Sequence, residues 1–458
     1  MKTILLLSLT LILSSTNLLA QPSTTAGEPK DVVITFYNQN YATVFENRTV
    51  RLERGLNRIL IDQFPLSEEM RGLTVFFDGR LIETRHKPTF SNVAALLPEM
   101  IGERITLHGT DTITGVVKRY RAGLLELGMD DGSIQLISNV NGYRITIHNP
   151  EVLNRIHAPV ELTVHANKSG RQQLHVFYVT NNMGWDAEHR VVLNEQNNTL
   201  NWQTFASLNN NTSTAYSDAT LRFFSGIINL SNFSPRHDGI LMAYGVERAA
   251  LDHVTQEATG EHYLYTYHRK STVRPGETTR ISLHDINNVA FKQWFSHTIS
   301  IHGNNRDNLK PSIQLKIDTD GDQGLNTTLP AGNVRFMVND DDATPVIRGE
   351  QSVPFITPGD RLMVTLGAAS DITISERRTT IANQQQQYVD HTIEIIIKSN
   401  RAEASEIELP FQLQANMELI SSDITPDRDG NVLRFRTTVQ PNGERTHQFV
   451  VRQHNRRG

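Results

Sequence analysis

The chain has 458 residues, of which 38% are hydrophobic and 20% charged, with a formal net charge of −5 and no cysteine. At about 150 residues per domain this length suggests three domains, and the composition is too apolar and too weakly charged for a disordered protein. No basic excess favours nucleic-acid binding, and the absence of cysteine excludes disulfides, thiolate metal sites, iron–sulfur clusters and a cysteine nucleophile.

Residues 1–20 have the features of an export signal. Lys2 precedes an apolar run over residues 4–13, and the small residue Ala20 stands at the expected cleavage position. The run is too short to span a membrane as a helix, which takes roughly 20 apolar residues, and no later stretch is long and apolar enough. Because exported chains without cysteine are more typical of bacteria than of eukaryotes, we expect a periplasmic or secreted bacterial protein.

Residues 21–30 are rich in serine, threonine, proline and glycine, which predicts a mobile leader. From residue 31 onward, hydrophobic and polar residues alternate with a period of two, as half-buried β-strands require. Clear examples lie at 313–317, 393–397 and 433–437. The pattern predicts an all-β chain.

Helical periodicity is scarce, with short candidates only at 91–100 and 150–156. Glycine or proline turns precede several strands, as at the corners of β-sandwiches. We therefore predict two or more antiparallel, Ig-like β-sandwich domains. They comprise an N-terminal part over 31–95, a main region over 149–366 and a C-terminal sandwich over 367–458.

The segment over residues 96–148 has a different character. Five short strands with glycine and Asp-Gly turns fall within about 50 residues, which favours a small SH3- or Sm-like β-barrel inserted into the chain. The alternative is a meander that belongs to the neighbouring sandwich.

Residues 229–262 show little alternation and mixed charge, which predicts a long loop between strands. Binding functions concentrate in such loops, although a solvated loop without function fits the pattern equally well.

Histidines and aspartates give no metal site by their spacing. His262 and His268, six apart on a strand, would lie about 20 Å apart, too far for one metal ion. Aspartates at 318, 320 and 322 match the start of a calcium loop, but Gln323 and Leu329 replace its turn glycine and its bidentate acid, so a turn is favoured. The run 340–342 favours a solvated hairpin tip.

Trp185, Trp202 and Trp294 could stack on sugar rings, but burial in a sandwich core is the favoured role in a strand-rich chain. No Gly-x-Ser-x-Gly, His-Glu-x-x-His or Walker A motif occurs. A dispersed Ser/His/Asp triad and a pair of catalytic carboxylates leave no linear signature, and both stay open. We assign no catalytic, cofactor-binding or metal-binding residue.

Six segments carry a resemblance to a known family, and they occur in the family's order. They are 33–44 (VITFYNQNYATV), 54–59 (RGLNRI), 178–185 (YVTNNMGW), 326–335 (NTTLPAGNVR), 349–366 and 442–451. On these segments the chain resembles a bacterial family of unknown function that shares its main domain with mucoidy inhibitor A-like proteins. His189 departs from the family, which usually has an aromatic residue there. The resemblance implies an exported β-rich protein linked to surface polysaccharide, and it implies no catalytic residue.

These observations predict an exported, non-enzymatic envelope protein that binds or scaffolds a protein or polysaccharide partner, without a cofactor, nucleic acid or membrane span. The alternative is an envelope polysaccharide hydrolase that uses dispersed carboxylates as acid and base. An assembly factor that pairs through its edge strands is a further, weaker alternative.

Overall fold

The computed structural model describes residues 23–454 except 66–69, 87–92, 150–159, 227–253, 260–261 and 384–386. Strands, numbered β1–β31 in chain order, make up most of these residues. The only α-helix among them is α1 (Val93–Leu96), followed by a 3-10 turn at Leu97–Met100, so the helical candidate at 91–100 is confirmed over its described part. The all-β, multi-sheet fold class is confirmed.

Several predictions fall on residues that the structure does not describe. The export signal over 1–20 and the helical candidate over 150–156 lie outside the described residues. So does most of the predicted loop over 229–262, whose described end contains strand β17 (Val254–Thr259). Within the described part of the chain, no helix is long and apolar enough to cross a membrane.

The chain divides into two compact units, each built from two separate stretches. Unit 1 comprises Met1–Gly184 and Asn209–Thr278, and unit 2 comprises Trp185–Leu208 and Thr279–Gly458. The predicted boundary at 366/367 lies inside unit 2, where one hydrophobic core continues through Leu366 and Ile372. Alternation along a sequence shows where strands are, but it does not show which strands share a sheet.

The largest sheet of unit 1 has seven strands, in the order β17-β18-β16-β2-β3-β13-β5. Besides β17, they are β2 (Lys30–Tyr37), β3 (Tyr41–Leu52), β5 (Met70–Phe76), β13 (Gly170–Asn181), β16 (Tyr216–Ser225) and β18 (His262–Val273). Most pairs are antiparallel, but β16 pairs with β2 in parallel. The sheet is therefore mixed rather than purely antiparallel.

A second sheet of unit 1 has four strands, in the order β1-β4-β12-β6. They are β1 (Ser23–Thr25), β4 (Gly55–Ile61), β6 (Gly79–His86) and β12 (Val160–Ala166). The prediction of a mobile leader over 21–30 is wrong for its described part, since β1 pairs in parallel with β4 and Ala26 is 4% exposed. Backbone pairing needs no hydrophobic pattern, and threonine suits a strand as well as a loop.

The third sheet of unit 1 forms from the predicted insertion and has five antiparallel strands in the order β10-β9-β8-β7-β11. They are β7 (Arg104–His108), β8 (Thr112–Arg121), β9 (Leu124–Gly128), β10 (Ile134–Ser138) and β11 (Arg144–Ile147). The sheet has its own core, which includes Leu107, Val117 and Leu127, so it is a separate layer and not a meander of a neighbouring sheet. The last strand, β11, pairs with the first, β7, but β10 and β11 do not pair with each other, so the predicted small β-barrel is not closed.

Unit 2 contains a ten-stranded sheet, in which β23-β22-β14-β15-β19-β27-β30-β29 form the main path, β21 branches from β19, and β24 pairs with β21. Its strands are β14 (Met183–Asn194), β15 (Thr199–Asn210), β19 (Thr278–Ser296), β21 (Ser312–Ile317), β22 (Gly332–Asn339), β23 (Pro345–Val353), β24 (Leu362–Ala368), β27 (Ser405–Gln412), β29 (Asp427–Asp429) and β30 (Val432–Val439). Here β14 and β22 pair in parallel, with Ala187 opposite Gly332.

The other sheet of unit 2 has five strands in the order β20-β25-β26-β31-β28. They are β20 (Arg306–Leu309), β25 (Ile372–Ala382), β26 (Tyr388–Ser399), β28 (Met417–Ser422) and β31 (Glu444–His454). Residues of both sheets form one hydrophobic core, in which the rings of Phe435 and Phe449 lie 4.2 Å apart between centroids. This core fixes the two sheets of unit 2 face to face as a sandwich.

Candidate functional site

The candidate site lies on the outward face of the large sheet of unit 2. The inward side chains of β14 and β15 form the buried layer beneath it, which we call the floor. Trp185 is 1% exposed and Trp202 is fully buried, so the favoured core role is confirmed for these two tryptophans, and Trp294 is half-buried. Large inward side chains of this kind hold the two strands rigidly against the core. The backbone that carries the outward side chains of the same strands is therefore held in place.

His189 lies in this floor with 3% exposure and three hydrogen-bond contacts. Its Nε2 lies 3.0 Å from the carbonyl oxygen of Pro330, which only accepts, so Nε2 carries the proton. Its Nδ1 then accepts from the indole N–H of Trp202 at 3.2 Å and faces the hydroxyl of Thr204 at 3.0 Å. Burial, together with the nearby His284, lowers the pKa of His189 to about 4, so its imidazole is neutral at pH 7.

The outward side chains of five adjacent strands of the large sheet line a groove of about 540 Å³. The main lining residues are Glu188 and Arg190 of β14, Phe205 of β15, Arg280 of β19, Asn333 and Arg335 of β22, and Glu350 and Ser352 of β23. Alternation places each of them opposite the buried residues of its own strand. We call this surface the arginine groove.

One aromatic ring lies among the cations of the arginine groove. The guanidinium carbon of Arg190 is 5.9 Å from the ring centroid of Phe205, and that of Arg280 is 5.7 Å from it. These distances are typical of cation–π contacts. The half-buried ring therefore fixes the positions of two guanidinium groups at the surface.

Two of the three arginines in the arginine groove form ion pairs with glutamates. Arg280 binds Glu188, and Arg335 on β22 pairs across the strands with Glu350 on β23. Among the described residues, no carboxylate lies within ion-pairing distance of Arg190. The groove thus has three arginines against two glutamates, and Arg190 keeps a guanidinium free for an anion.

A guanidinium presents a planar fork of N–H donors that matches a carboxylate or phosphate with two parallel hydrogen bonds. The hydroxyl of Ser352 and the amide of Asn333, joined by a 2.6 Å hydrogen bond, add neutral polar groups beside it. A ring, free donors and amide groups on one rigid face suit an extended, hydroxyl-bearing anion.

The structure does not assemble the sequence candidates for metal binding. The ring of His262 lies tilted at 53° against that of Phe224, with centroids 5.1 Å apart, whereas His268 contacts the hydroxyl of Thr255. Across the described ranges, no group of three histidine, aspartate or glutamate side chains is placed to hold a metal ion.

The two aspartate-rich segments are turns, as predicted. The segment from Asp318 closes on itself, because Leu325 donates to the Asp318 carbonyl at 3.1 Å and the Asn326 side chain donates to Gly321 at 2.7 Å. The run 340–342 forms the exposed tip of the β22–β23 hairpin.

Sequence reasoning missed the arginine groove because its members come from strands between residues 188 and 352. The available signal was the outward register of Arg190 and Phe205, each one position away from a buried residue. That signal marks a solvent face, and only the sheet order brings Arg280 and Arg335 to the same place.

A comparison with protein-family models gives no match, and neither does a comparison with curated proteins. The resemblance to the mucoidy inhibitor A-like family therefore depends on the six sequence segments alone and stays a prediction.

Proposed function

We propose that this chain is an exported β-rich protein of the bacterial envelope that binds an anionic polysaccharide in the arginine groove. The export and envelope parts of the proposal come from the signal-like residues 1–20 and from the family resemblance. The ligand part comes from the groove. The observation that carries it is Arg190, a guanidinium held against Phe205 without a carboxylate partner in the described chain.

The expected affinity is modest. A charge-assisted contact between arginine and carboxylate contributes about 1.5–3 kcal/mol, and an exposed contact is screened by salt. One contact of this kind by itself gives a Kd in the range of about 5–100 mM. A polymer with repeated acidic sugars binds more tightly at a surface that bears several copies of the protein, because neighbouring contacts add their effects.

The alternative of a paired-carboxylate hydrolase fits this groove less well. Both of its glutamates, Glu188 and Glu350, are ion-paired with arginine. A glycosidase needs one carboxyl group that is protonated and can act as an acid. The pairing favours binding over hydrolysis at this surface.

The test is binding of a soluble polyuronate, with neutral dextran as the comparison polymer. We expect the polyuronate to bind wild-type protein at low salt and to bind weakly at 0.5 M salt, and dextran to bind weakly throughout. Arg190→Glu should reduce polyuronate binding at least tenfold, because it replaces the free guanidinium with a like charge.

Arg361→Glu is the matched control, since Arg361 is exposed in the same unit and is not part of the groove. It makes the same change in net charge and should leave binding within twofold. Equal losses in the two variants would show a non-specific charge effect and would contradict the proposal, as would wild-type protein that does not bind.

A further inference from the structure

A second groove in unit 2, of about 590 Å³, opens where β30 and β31 face each other across the sandwich. Phe435 of β30 and Phe449 of β31 pack together in the core. Thr437 lies two residues further along β30, and His447 lies two residues back along β31. On these inward positions a hydroxyl and an imidazole take the place of hydrocarbon. Both residues line the groove, and they are 8% and 4% exposed.

Three side chains form one hydrogen-bonded chain here. The Nδ1 of His447 lies 2.9 Å from Oδ2 of Asp423, and its Nε2 lies 2.9 Å from Oγ1 of Thr437. Since an ionised carboxylate only accepts, Nδ1 carries the proton, and Nε2 is left to accept from the threonine hydroxyl. The other oxygen of Asp423 accepts the backbone N–H of Gln448 at 3.1 Å, which fixes the carboxylate.

This order of groups, a hydroxyl on an imidazole on a carboxylate, is the arrangement that activates a hydroxyl nucleophile. It is recognised by geometry and not by sequence position. The sequence left a dispersed triad open, and the structure brings these three residues together from the end of β28, from β30 and from β31.

A guanidinium group lies in the same groove as these three hydrogen-bonded side chains. Arg445 lines the same groove and donates to the carbonyl of Thr438 at 2.8 Å. Among the described residues, no carboxylate lies within ion-pairing distance of it, whereas Arg436 in the same groove pairs with Glu408 and Asp427. Arg445 is therefore available to stabilise a negative charge that develops on a substrate oxygen.

We propose that Thr437, His447 and Asp423 form a hydrolytic centre for small acyl esters of hydroxyl-rich alcohols, such as acetylated sugars. Of the described residues that line the groove, only Ile424 has an all-hydrocarbon side chain, so a long acyl chain finds no apolar slot. Threonine hydroxyls and guanidinium groups supply hydrogen bonds for the alcohol portion instead. The proposal does not depend on ligand binding in the arginine groove.

The reaction follows two balanced steps. The Thr437 oxygen attacks the ester carbonyl carbon while its proton passes to Nε2 of His447, and the alcohol leaves with that proton as the carbon–oxygen bond breaks. Water then attacks the acyl-threonine and gives its proton to His447, which returns it to the threonine oxygen as the acid departs. Asp423 is a positioning residue that holds the imidazole tautomer.

The test is hydrolysis of 4-nitrophenyl acetate, followed by acetate release from an acetylated polysaccharide. Thr437→Val removes the hydroxyl while keeping the shape, and His447→Gln removes the base. We expect each to lower kcat/KM about 100-fold. Thr437→Ser should keep activity within tenfold of wild type, and mass spectrometry after an acid quench should find one acyl group on residue 437.

Thr379→Val is the matched control, because Thr379 is an exposed threonine of β25 that does not line the groove, so this variant should keep full activity. Circular dichroism of each variant separates loss of fold from loss of catalysis. Wild-type protein that hydrolyses no faster than Thr437→Val would overturn the proposal. Polyuronate binding and hydrolysis of 4-nitrophenyl acetate are measured separately on wild-type protein, so failure of this proposal and failure of polysaccharide binding are distinguished.

Discussion

Each unit of the molecule buries a glutamate and an arginine two residues apart on one strand. In unit 1 these are Glu46 and Arg48 of β3, which are 1% and 0% exposed. In unit 2 they are Glu376, which is fully buried, and Arg378 of β25. In both cases the arginine also donates to two backbone carbonyls of flanking segments, so each pair fastens a neighbouring stretch of chain to the core.

The two glutamates differ in their number of donors. Glu46 accepts from Arg48 at 2.6 Å, and burial outweighs this single partner and raises its pKa above the ordinary value of 4.5. Burial acts in the same direction on Glu376, but hydrogen bonds from His297, Arg378 and Arg306 together outweigh it and lower its pKa.

Burial alone therefore does not decide the charge of a carboxylate. His297 lies 2.9 Å and Arg306 2.7 Å from the oxygens of Glu376, and with Arg378 they satisfy both oxygens. Three donors keep the group ionised in the interior, whereas one does not fully offset the loss of water.

The largest expected effect comes from Glu376→Gln. The change leaves Arg378, 5% exposed in its side chain, without an acid partner in the interior. We expect the free energy of unfolding to fall by about 3–5 kcal/mol, measured by urea denaturation of the full chain at pH 7. The contribution of Glu376 is present above pH 4.5 and is lost as pH falls through its lowered pKa, so the deficit should shrink in acid. A deficit of less than 1 kcal/mol at pH 7 would show that the three donors do not hold a charge.

His189 is a buried base without an ionic partner among the described residues. The pKa of His189 is about 4 when folded and 6.5 when free, so its stabilising contribution is complete above pH 6.5 and is lost as pH falls towards 4. This corresponds to about 3 kcal/mol between the two limits. His189→Gln should flatten that part of the stability curve over pH 6.5–4, measured by denaturation across the range. A variant curve as steep as that of wild type would assign the acid sensitivity to other groups.

A smaller effect is expected for Glu46→Gln. Arg48 keeps the carbonyls of Gly27 and Gln63 and has Asp62 at 3.6 Å, so we expect a loss of about 2 kcal/mol at pH 7. Its pH dependence should be opposite to that of Glu376→Gln. A raised pKa means that the folded state holds the proton more tightly, so the contribution of Glu46 declines as pH rises above 4.5. Parallel pH profiles for the two variants would contradict the difference in donor number.

The smallest effect is expected at the surface. Arg335 and Glu350 are both more than half exposed, and such pairs contribute at most about 1 kcal/mol. Glu350→Gln should therefore change the thermal midpoint very little. It should also strengthen polyuronate binding, because it removes a negative charge from the arginine groove. Weaker binding in this variant would count against an anionic ligand.

Much of the local structure could be predicted from the sequence. Period-two alternation at 313–317, 393–397 and 433–437 corresponds to strands β21, β26 and β30. The inward register of β3 also places Glu46 and Arg48 between Val44 and Val50, which could have indicated a buried ion pair. The partners could not be predicted, because His297 and Arg306 reach Glu376 only through pairing between distant parts of the chain.

The same limit applies to both grooves of unit 2. Arg190 and Phe205 were visible as outward residues, and His447 as a histidine on an inward position. Their neighbours depend on sheet order and on the packing of two sheets, which alternation does not encode. The prediction of a mobile leader is wrong for a related reason, since Ser23–Thr25 pairs with β4 through backbone groups, which a hydrophobic pattern does not reveal.

The division of each unit into two stretches has a consequence for the timing of folding. The chain passes between the units at 184/185, 208/209 and 278/279, so β14 and β15 are synthesised well before the rest of unit 2. The parallel partner of β14 is β22, and the sandwich also needs β31 near the far end. Such non-local pairing slows folding and leaves apolar strands exposed in the meantime. Nascent chains of this protein should therefore depend on a holding chaperone until synthesis is nearly complete.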